Sequence, residues 1–213
     1  MSRSSSNDPA NRARWRAAWD KQAPTYDKQM RFFDRKLFKD SRDWVCSQAT
    51  GDVLEVAIGT GLNLEHYPAD MRLTGIELSP GMLQLARDRA VELSREVDLR
   101  EGDAHRLDFA DASFDTVVCT FSLCAIPDHR QAVAEMHRVL RPGGLLLLAD
   151  HVASPNVIGR AIQRLAEVVT IRMGGEHFRR RPLEVVQDLG FVVEQRERFG
   201  MGLVERLAAR KPA

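Results

Sequence analysis

Between Gly51 and Asp150, short β-branched runs alternate with helical patterns, and this alternation restricts the fold more than any other feature of the chain. Val53–Ile58, Leu73–Leu78, Val97–Glu101, Phe114–Thr120 and Gly144–Asp150 read as strands. Helical patterns fall between them at Gly61–Tyr67, at Pro80–Ser94 with Ser79 as N-cap, and at Asp128–Leu140. Arg141-Pro-Gly-Gly supplies a turn ahead of the fifth strand. Strands joined by helices at this spacing build a parallel sheet covered on both faces. Helical patterns at Asn156–Ile171 and Pro182–Leu189 then precede two late strands, Phe191–Glu197 and Val204–Ala209, which add an antiparallel edge. The expected architecture is α/β: a doubly wound, mostly parallel sheet of seven strands.

The first fifty residues differ in texture. Residues 1–10 are Ser-rich and read as a disordered tail. A helix is expected from Asn11 to about Ala23, with Trp15 and Trp19 four apart and therefore on one face. Pro24 should end or kink it, and a second helix should span about Tyr26–Gln48. We assign residues 11–50 to an N-terminal helical lid and 51–213 to the core, with a substrate-lid insertion near 154–182. The Trp pair beside Arg12, Arg14 and Arg16 has two readings, a helix packed over the active site or one lying in a membrane interface.

At 213 residues, 44% of them hydrophobic, the chain can bury a real core. Its longest apolar run, Gly144–Ala149, is far short of the roughly 20 residues that span a bilayer. Cys46, Cys119 and Cys124 show no Cys-x-x-Cys spacing, so no disulfide framework or metal site is expected and a cytoplasmic setting is. Net charge is +1, unevenly spread: residues 1–50 carry 11 basic and 6 acidic side chains, residues 51–159 carry 9 and 17, and residues 160–213 carry 11 and 7. Solvated helix faces account for this, as would basic flanks converging on an anionic substrate or a membrane surface. A near-neutral chain without a recognition motif argues against nucleic acid.

The chemistry concentrates at Glu55-Val-Ala-Ile-Gly-Thr-Gly61, between the first strand and its helix. A glycine-rich turn there lets backbone approach a ligand and aims amides at it. A nicotinamide fingerprint asks for G-x-G-x-x-G, and Ala57 and Leu62 occupy its first and sixth positions, so that reading fits poorly. Glu77 ends the second strand, where a carboxylate can accept both hydroxyls of a ribose. Gly102-Asp103-Ala104 follows the third strand, Ser113-Phe-Asp opens the fourth, and Arg138-Val-Leu-Arg-Pro-Gly-Gly precedes the fifth.

In this order the elements resemble the class I S-adenosylmethionine-dependent methyltransferases, from about Tyr26 to the C-terminus. The branch is the one holding ubiquinone/menaquinone C-methyltransferases, bacterial phospholipid N-methyltransferases and small-molecule thiol S-methyltransferases. The family's first motif is E-x-G-x-G-T-G, from which Ala57 departs. The resemblance implies a Rossmann-like fold, S-adenosylmethionine as cofactor and S-adenosylhomocysteine as product. It implies that Gly59, Thr60 and Gly61 hold the methionyl portion and Glu77 the ribose. Asp103 would take the adenine amino group, with Ala104 beside the ring and Leu78 and Met82 against the base. Glu55, Ala57, Asn63, Thr120 and Phe121 complete the implied cofactor set, and Tyr26 would close over it as a lid and catalytic residue.

The acceptor is a small molecule whose chemistry stays open. Cys119-Thr-Phe-Ser-Leu-Cys124 and Ala149-Asp-His-Val-Ala153 resemble the thiol branch, which a neutral-pH thiol suits because it ionises with little help. Asp150 and His151 could supply a general base, or only close a strand end. Phospholipid N-methylation, suggested by the Trp helix and Arg179–Arg181, is the alternative, and quinone C-methylation the third. Ala57 also keeps open a non-catalytic cofactor-binding role. Cys119 and Cys124 read as packing residues, and Gly174–Pro182, with His177, as a basic substrate lid or a solvated loop.

Overall fold

The computed structural model describes residues 9–173 and 177–213. Seven strands form one sheet in the order β3-β2-β1-β4-β5-β7-β6: β1 Asp52–Val56, β2 Arg72–Glu77, β3 Asp98–Glu101, β4 Phe114–Thr120, β5 Leu140–His151, β6 Val192–Phe199 and β7 Val204–Arg210. The first five run parallel, and β7 joins β5 and β6 antiparallel. Order reverses between β1 and β4, and at such a switch point the carboxyl ends of the strands leave a crevice for a ligand. The fold class expected from the sequence is present.

Every central strand is buried on both faces, and the pleat sorts its side chains into two cores. Leu54, Val117, Cys119, Leu146 and Leu148 point to one, and Val53, Val118, Leu147 and Ala149 to the other. Helices α2 (Ser41–Cys46), α3 (Pro80–Glu92) and α4 (His129–Val139) pack on the sheet, α6 (Pro182–Asp188) packs on α4, and α5 (Val157–Met173) follows β5. Helix α3 starts where its sequence says, with the Ser79 hydroxyl accepting from Met82 N at 3.1 Å and Pro80 in the first turn. Asp128 caps α4 the same way through Gln131 N.

Several boundaries differ from expectation. Helix α1 runs unbroken from Pro9 to Phe33, straight through Pro24. Asp20 and Asp27, on either side of the proline, are both tied to the core, and these anchors hold the chain helical across it. The expected Tyr26–Gln48 helix is instead the end of α1, a π-helical turn at Asp34–Phe38, and a short α2 at Ser41–Cys46. Gly61–Tyr67 makes only a 3-10 turn, Leu64–His66, because Asn63 and Tyr67 are held by a buried carboxylate. Strand β5 starts at Leu140, so Pro142 and the two glycines lie within it, beside a register shift opposite Phe114–Thr116. Of the expected tail, residues 1–8 lie outside the described residues and Pro9 and Ala10 already belong to α1.

Gly61 shows how closely the β1 loop is pressed onto α3. It adopts φ +78°, and a Cβ there would fall 2.9 Å from Leu64 and 3.2 Å from the Ala86 Cα. Gly61→Ala is therefore expected to lower stability by about 2 kcal/mol, from the left-handed backbone and the crowding together. Denaturant unfolding with an unchanged slope would register this.

Candidate functional site

A cleft of about 880 Å³, mouth included, opens at the carboxyl ends of β1, β2, β3 and β4. Of the residues picked out from sequence, Tyr26, Ala57, Gly59, Thr60, Glu77, Leu78, Met82, Asp103, Ala104, Thr120 and Phe121 line it, whereas Glu55, Gly61, Asn63, Asp150 and His151 do not.

The β1 loop forms the floor. Ala57 and Gly59 both hold positive φ, 57° and 60°, and a Cβ on Gly59 would meet nothing within 4 Å, so the loop bares its backbone to the cleft. A non-glycine residue at Ala57 accepts a conformation that L-residues disfavour. Phe121, at φ 51°, does the same on the opposite wall, braced by its N–H to Ala149 O at 2.7 Å and by stacking on Phe38 at 3.8 Å. Backbone outliers of this kind gather at ligand sites.

Two carboxylates stand at successive strand ends. Glu77 is buried and accepts from Gly59 N at 3.1 Å and Ser79 N at 2.9 Å. Burial raises its pKa against those amides. Asp103 accepts from His105 Nδ1 at 2.6 Å and from His105 N at 2.9 Å, with Arg12 3.9 Å from its other oxygen. Burial works to raise its pKa, but His105 and Arg12 outweigh it and leave the carboxyl below its usual range. His105 Nε2 in turn accepts from Asp128 N at 3.1 Å, which assigns the proton to Nδ1 and the donor role toward Asp103.

Beneath the floor lies a buried polar network. Asn63 donates to Glu55 at 2.8 Å and to Thr120 Oγ1 at 2.9 Å, and accepts from Arg42 at 2.8 Å. Tyr67 donates to the second Glu55 oxygen at 2.9 Å. Burial pushes the Glu55 pKa up to about 7 despite Tyr67, Arg42 and Asn63.

Helix α1 roofs the cleft. Asp20 accepts from Ser79 Oγ at 2.5 Å and Gly81 N at 2.9 Å, and Asp27 accepts from Thr60 Oγ1 at 2.6 Å and pairs with Arg89. Trp15 and Trp19 thereby face the cleft, the latter edge-on to Tyr26 at 6.2 Å. Their i, i+4 spacing marked a shared face without saying what it covered. Arg42 also lines the cleft, its guanidinium 5.2 Å from the Phe121 ring, and no local signal marked it. Ser122, Ala125, Ile126 and Pro127 complete the wall beyond β4.

Asp150 is occupied with backbone, accepting from His151 N at 2.7 Å and Cys124 N at 3.3 Å. Its carboxylate lies 3.7 Å from His151 Nδ1, too far for a hydrogen bond, so it does not set the imidazole's tautomer. That nitrogen is buried without a hydrogen-bond partner among the described residues, and the ring packs on Phe38, Phe121 and Phe178. Cys124, Asp150 and His151 bring ligand atoms within 4.8 Å of one another, a grouping that joins two distant segments. Of Gly174–Pro182, residues 174–176 lie outside the described residues. The rest is fastened down: His177 N donates to Cys124 O, Arg180 donates to the carbonyls of Leu123, Ile126 and Pro127, and Arg179 pairs with Glu167.

Residues 54–148 match the family model described as a methyltransferase domain. A phosphatidylethanolamine N-methyltransferase of Cereibacter sphaeroides is 44% identical over 105 residues, 48% of this chain and 52% of that one. A demethylmenaquinone methyltransferase of Deinococcus radiodurans is 35% identical over 150 residues, 67% and 62% of the two chains. A Homo sapiens thiol S-methyltransferase is 34% identical over 134 residues, 61% and 54% of the two. The chain thus spans between 52% and 62% of the length of these relatives. In fold it is similar to a SAM-dependent methyltransferase of Thermotoga maritima (TM-score 0.68, 22% identity, 91% of this chain and 99% of that one). It is equally similar to the cyclase SpnF (TM-score 0.67, 22% identity, 81% and 80%).

Native Glu55 holds its proton up to about pH 7, against a usual value of 4.5, so the folded state binds more protons than the unfolded chain in between. Stability contributed by this group is therefore lost as pH rises through that window. With Glu55→Gln, the difference in melting temperature between variant and parent should grow from about pH 5 to about pH 8, toward a free-energy gap on the order of 3 kcal/mol. Paired thermal melts across that range check it.

Proposed function

We propose that this chain is an S-adenosylmethionine-dependent methyltransferase acting in the cytoplasm on a small apolar acceptor, most readily a thiol. The observation that carries the reading is the donor set of the cleft. Glu77 keeps acceptor capacity beyond its two amides, as two ribose hydroxyls require, and Asp103, oriented by His105, offers an acceptor to an adenine amino group. Ile76, Leu78, Met82 and Ala104 give the base an apolar slot, and the bare loop at Gly59 leaves room for the methionyl end. These residues fit the group. When bound, S-adenosylmethionine supplies a sulfonium-activated methyl, and S-adenosylhomocysteine is the product.

The protein's own work is positioning and exclusion of water. Tyr26, Trp15 and Trp19 roof the donor under α1, whose Asp20 and Asp27 anchors set its height. On the acceptor side the lining is apolar apart from Ser122, Thr120 and Arg42. A guanidinium there favours an anionic nucleophile, which suits a thiolate better than an ammonium-bearing headgroup. His151, behind Phe121, is the nearest candidate base, and segment 154–182 the acceptor-side wall. Methylation of a phospholipid amine is the second reading, supported by the Cereibacter sphaeroides relative, and quinone C-methylation follows it.

Two measurements test this. Titration calorimetry should show Glu77→Gln binding S-adenosylmethionine about 10- to 100-fold more weakly, as expected for losing a charged acceptor. Incubation with S-adenosylmethionine and, separately, small thiols, phosphatidylethanolamine vesicles and demethylated quinones should add one methylene of mass to a thiol. Transfer to lipid alone would exchange the first reading for the second.

A further inference from the structure

Helix α1 carries two sets of aromatic residues, and only one of them faces the cleft. At its C-terminal end Phe32 and Phe33 are 62% and 39% exposed. The β6–β7 turn, which projects Met201, 87% exposed, packs against the π-helical turn that follows α1, since a Cβ on Gly200 would lie 3.0 Å from Leu37. On its other flank the same turn abuts Pro155, 2.6 Å from a Cβ built on Gly202, just ahead of Val157 and Ile158, each 70% exposed. An apolar rim therefore runs from the end of α1 across the turn to the start of α5, at the end of the sheet where the cleft opens. Helix α5 continues it inside out. It buries Gln163 and Glu167, which bond the 152–154 and 178–179 backbone, and exposes Leu165 and Val168 on the stripe led by Ile158.

At α1 and the π-helical turn the rim is flanked by cations. Lys28, Arg31, Arg35, Lys36 and Lys39 are all exposed. The acids among them, Asp34 and Asp40, are taken by Arg42 and Arg206. From the surface an unbroken column of rings leads inward: Phe32 to Phe33 at 5.6 Å, Phe33 to Phe38 at 6.0 Å, and Phe38 to Phe121 on the cleft wall at 3.8 Å.

We propose that this face docks onto the surface of an anionic lipid bilayer, its phenylalanines and Met201 entering the headgroup region while the lysines and arginines meet the lipid charges. Aromatic and aliphatic tips beside a cationic flank are what an interfacial membrane site requires. A second copy of the chain fits worse, because a two-fold contact would bring the cationic flank against itself. Trp15 and Trp19, by contrast, are turned into the cleft. The inference does not depend on the methyltransferase reading.

Co-sedimentation of the full chain with vesicles tests it. Binding to phosphatidylglycerol-containing vesicles should exceed binding to pure phosphatidylcholine by about tenfold or more and weaken with salt. Phe32→Asp/Phe33→Asp should abolish most of it. Arg35→Gln/Lys36→Gln, on exposed side chains that leave the fold alone, should lower it by about tenfold, with S-adenosylmethionine affinity unchanged. Equal binding to both vesicle types, or undiminished binding by both variants, would overturn the proposal. So would a dimer that Phe32→Asp dissociates, which would assign the face to a second copy. Vesicle binding without cofactor binding would leave this surface standing and remove the enzymatic reading instead.

Discussion

A carboxylate shut away from water holds the cleft in shape. Glu55 sits on β1 directly beneath the loop, and burying an anion there is costly unless each oxygen is met. Asn63 and Tyr67 meet them, and in doing so pin the chain after the loop back onto the strand before it. Asn63 has acceptor and donor capacity left over, which it spends on Arg42 and Thr120. One network thus joins β1, the 3-10 turn, the end of β4 and α2. Arg42 then passes the connection to Asp34 in the π-helical turn. The positive-φ loop holds its strained shape because it is clamped from below, and its open face is left for a ligand.

The roof is held differently. Asp20 caps the start of α3 from outside, and Asp27 bridges Thr60 and Arg89, so both anchors of α1 are charge-assisted bonds at the cleft margin. Such bonds are strong individually yet exchange readily for water once the margin opens, unlike the apolar packing of the sheet. An arrangement of this kind fastens α1 to the cleft margin without merging it into the core. Arg16 with Glu101 and Arg12 near Asp103 extend the same pattern to β3.

Most of the sheet was legible because its signals are local: alternating texture, Ser79 and Asp128 as caps, and acids at the ends of β2 and β3. Residues whose role depends on distant partners were not. Nothing near Arg42 distinguishes it from the exposed Arg35, and only the fold brings it to Asn63 and Phe121. Pro24 carries the ordinary sign of a helix end, overridden by anchors 59 and 61 residues away in sequence at Asp20 and 33 and 62 residues away at Asp27. Asp150 and His151 look like a pair because they are neighbours, yet a strand turns successive side chains to opposite faces. Their carboxylate and imidazole end up 3.7 Å apart with the carboxylate committed to amides.

The two sides of the cleft are built from different materials. At the ends of β1, β2 and β3 the lining consists of backbone amides, positive-φ turns and two carboxylates that are themselves held by backbone, so a substitution there disturbs the sheet. Elsewhere the lining comes from side chains of α1, α2 and the 121–127 loop: Trp15, Trp19, Arg42, Phe121 and Ile126. The Trp15, Trp19 and Ile126 side chains can be exchanged without moving a strand, whereas Arg42 is tied to Asn63 and Phe121 to β5. The two sides of the lining are thus coupled to the fold to different degrees.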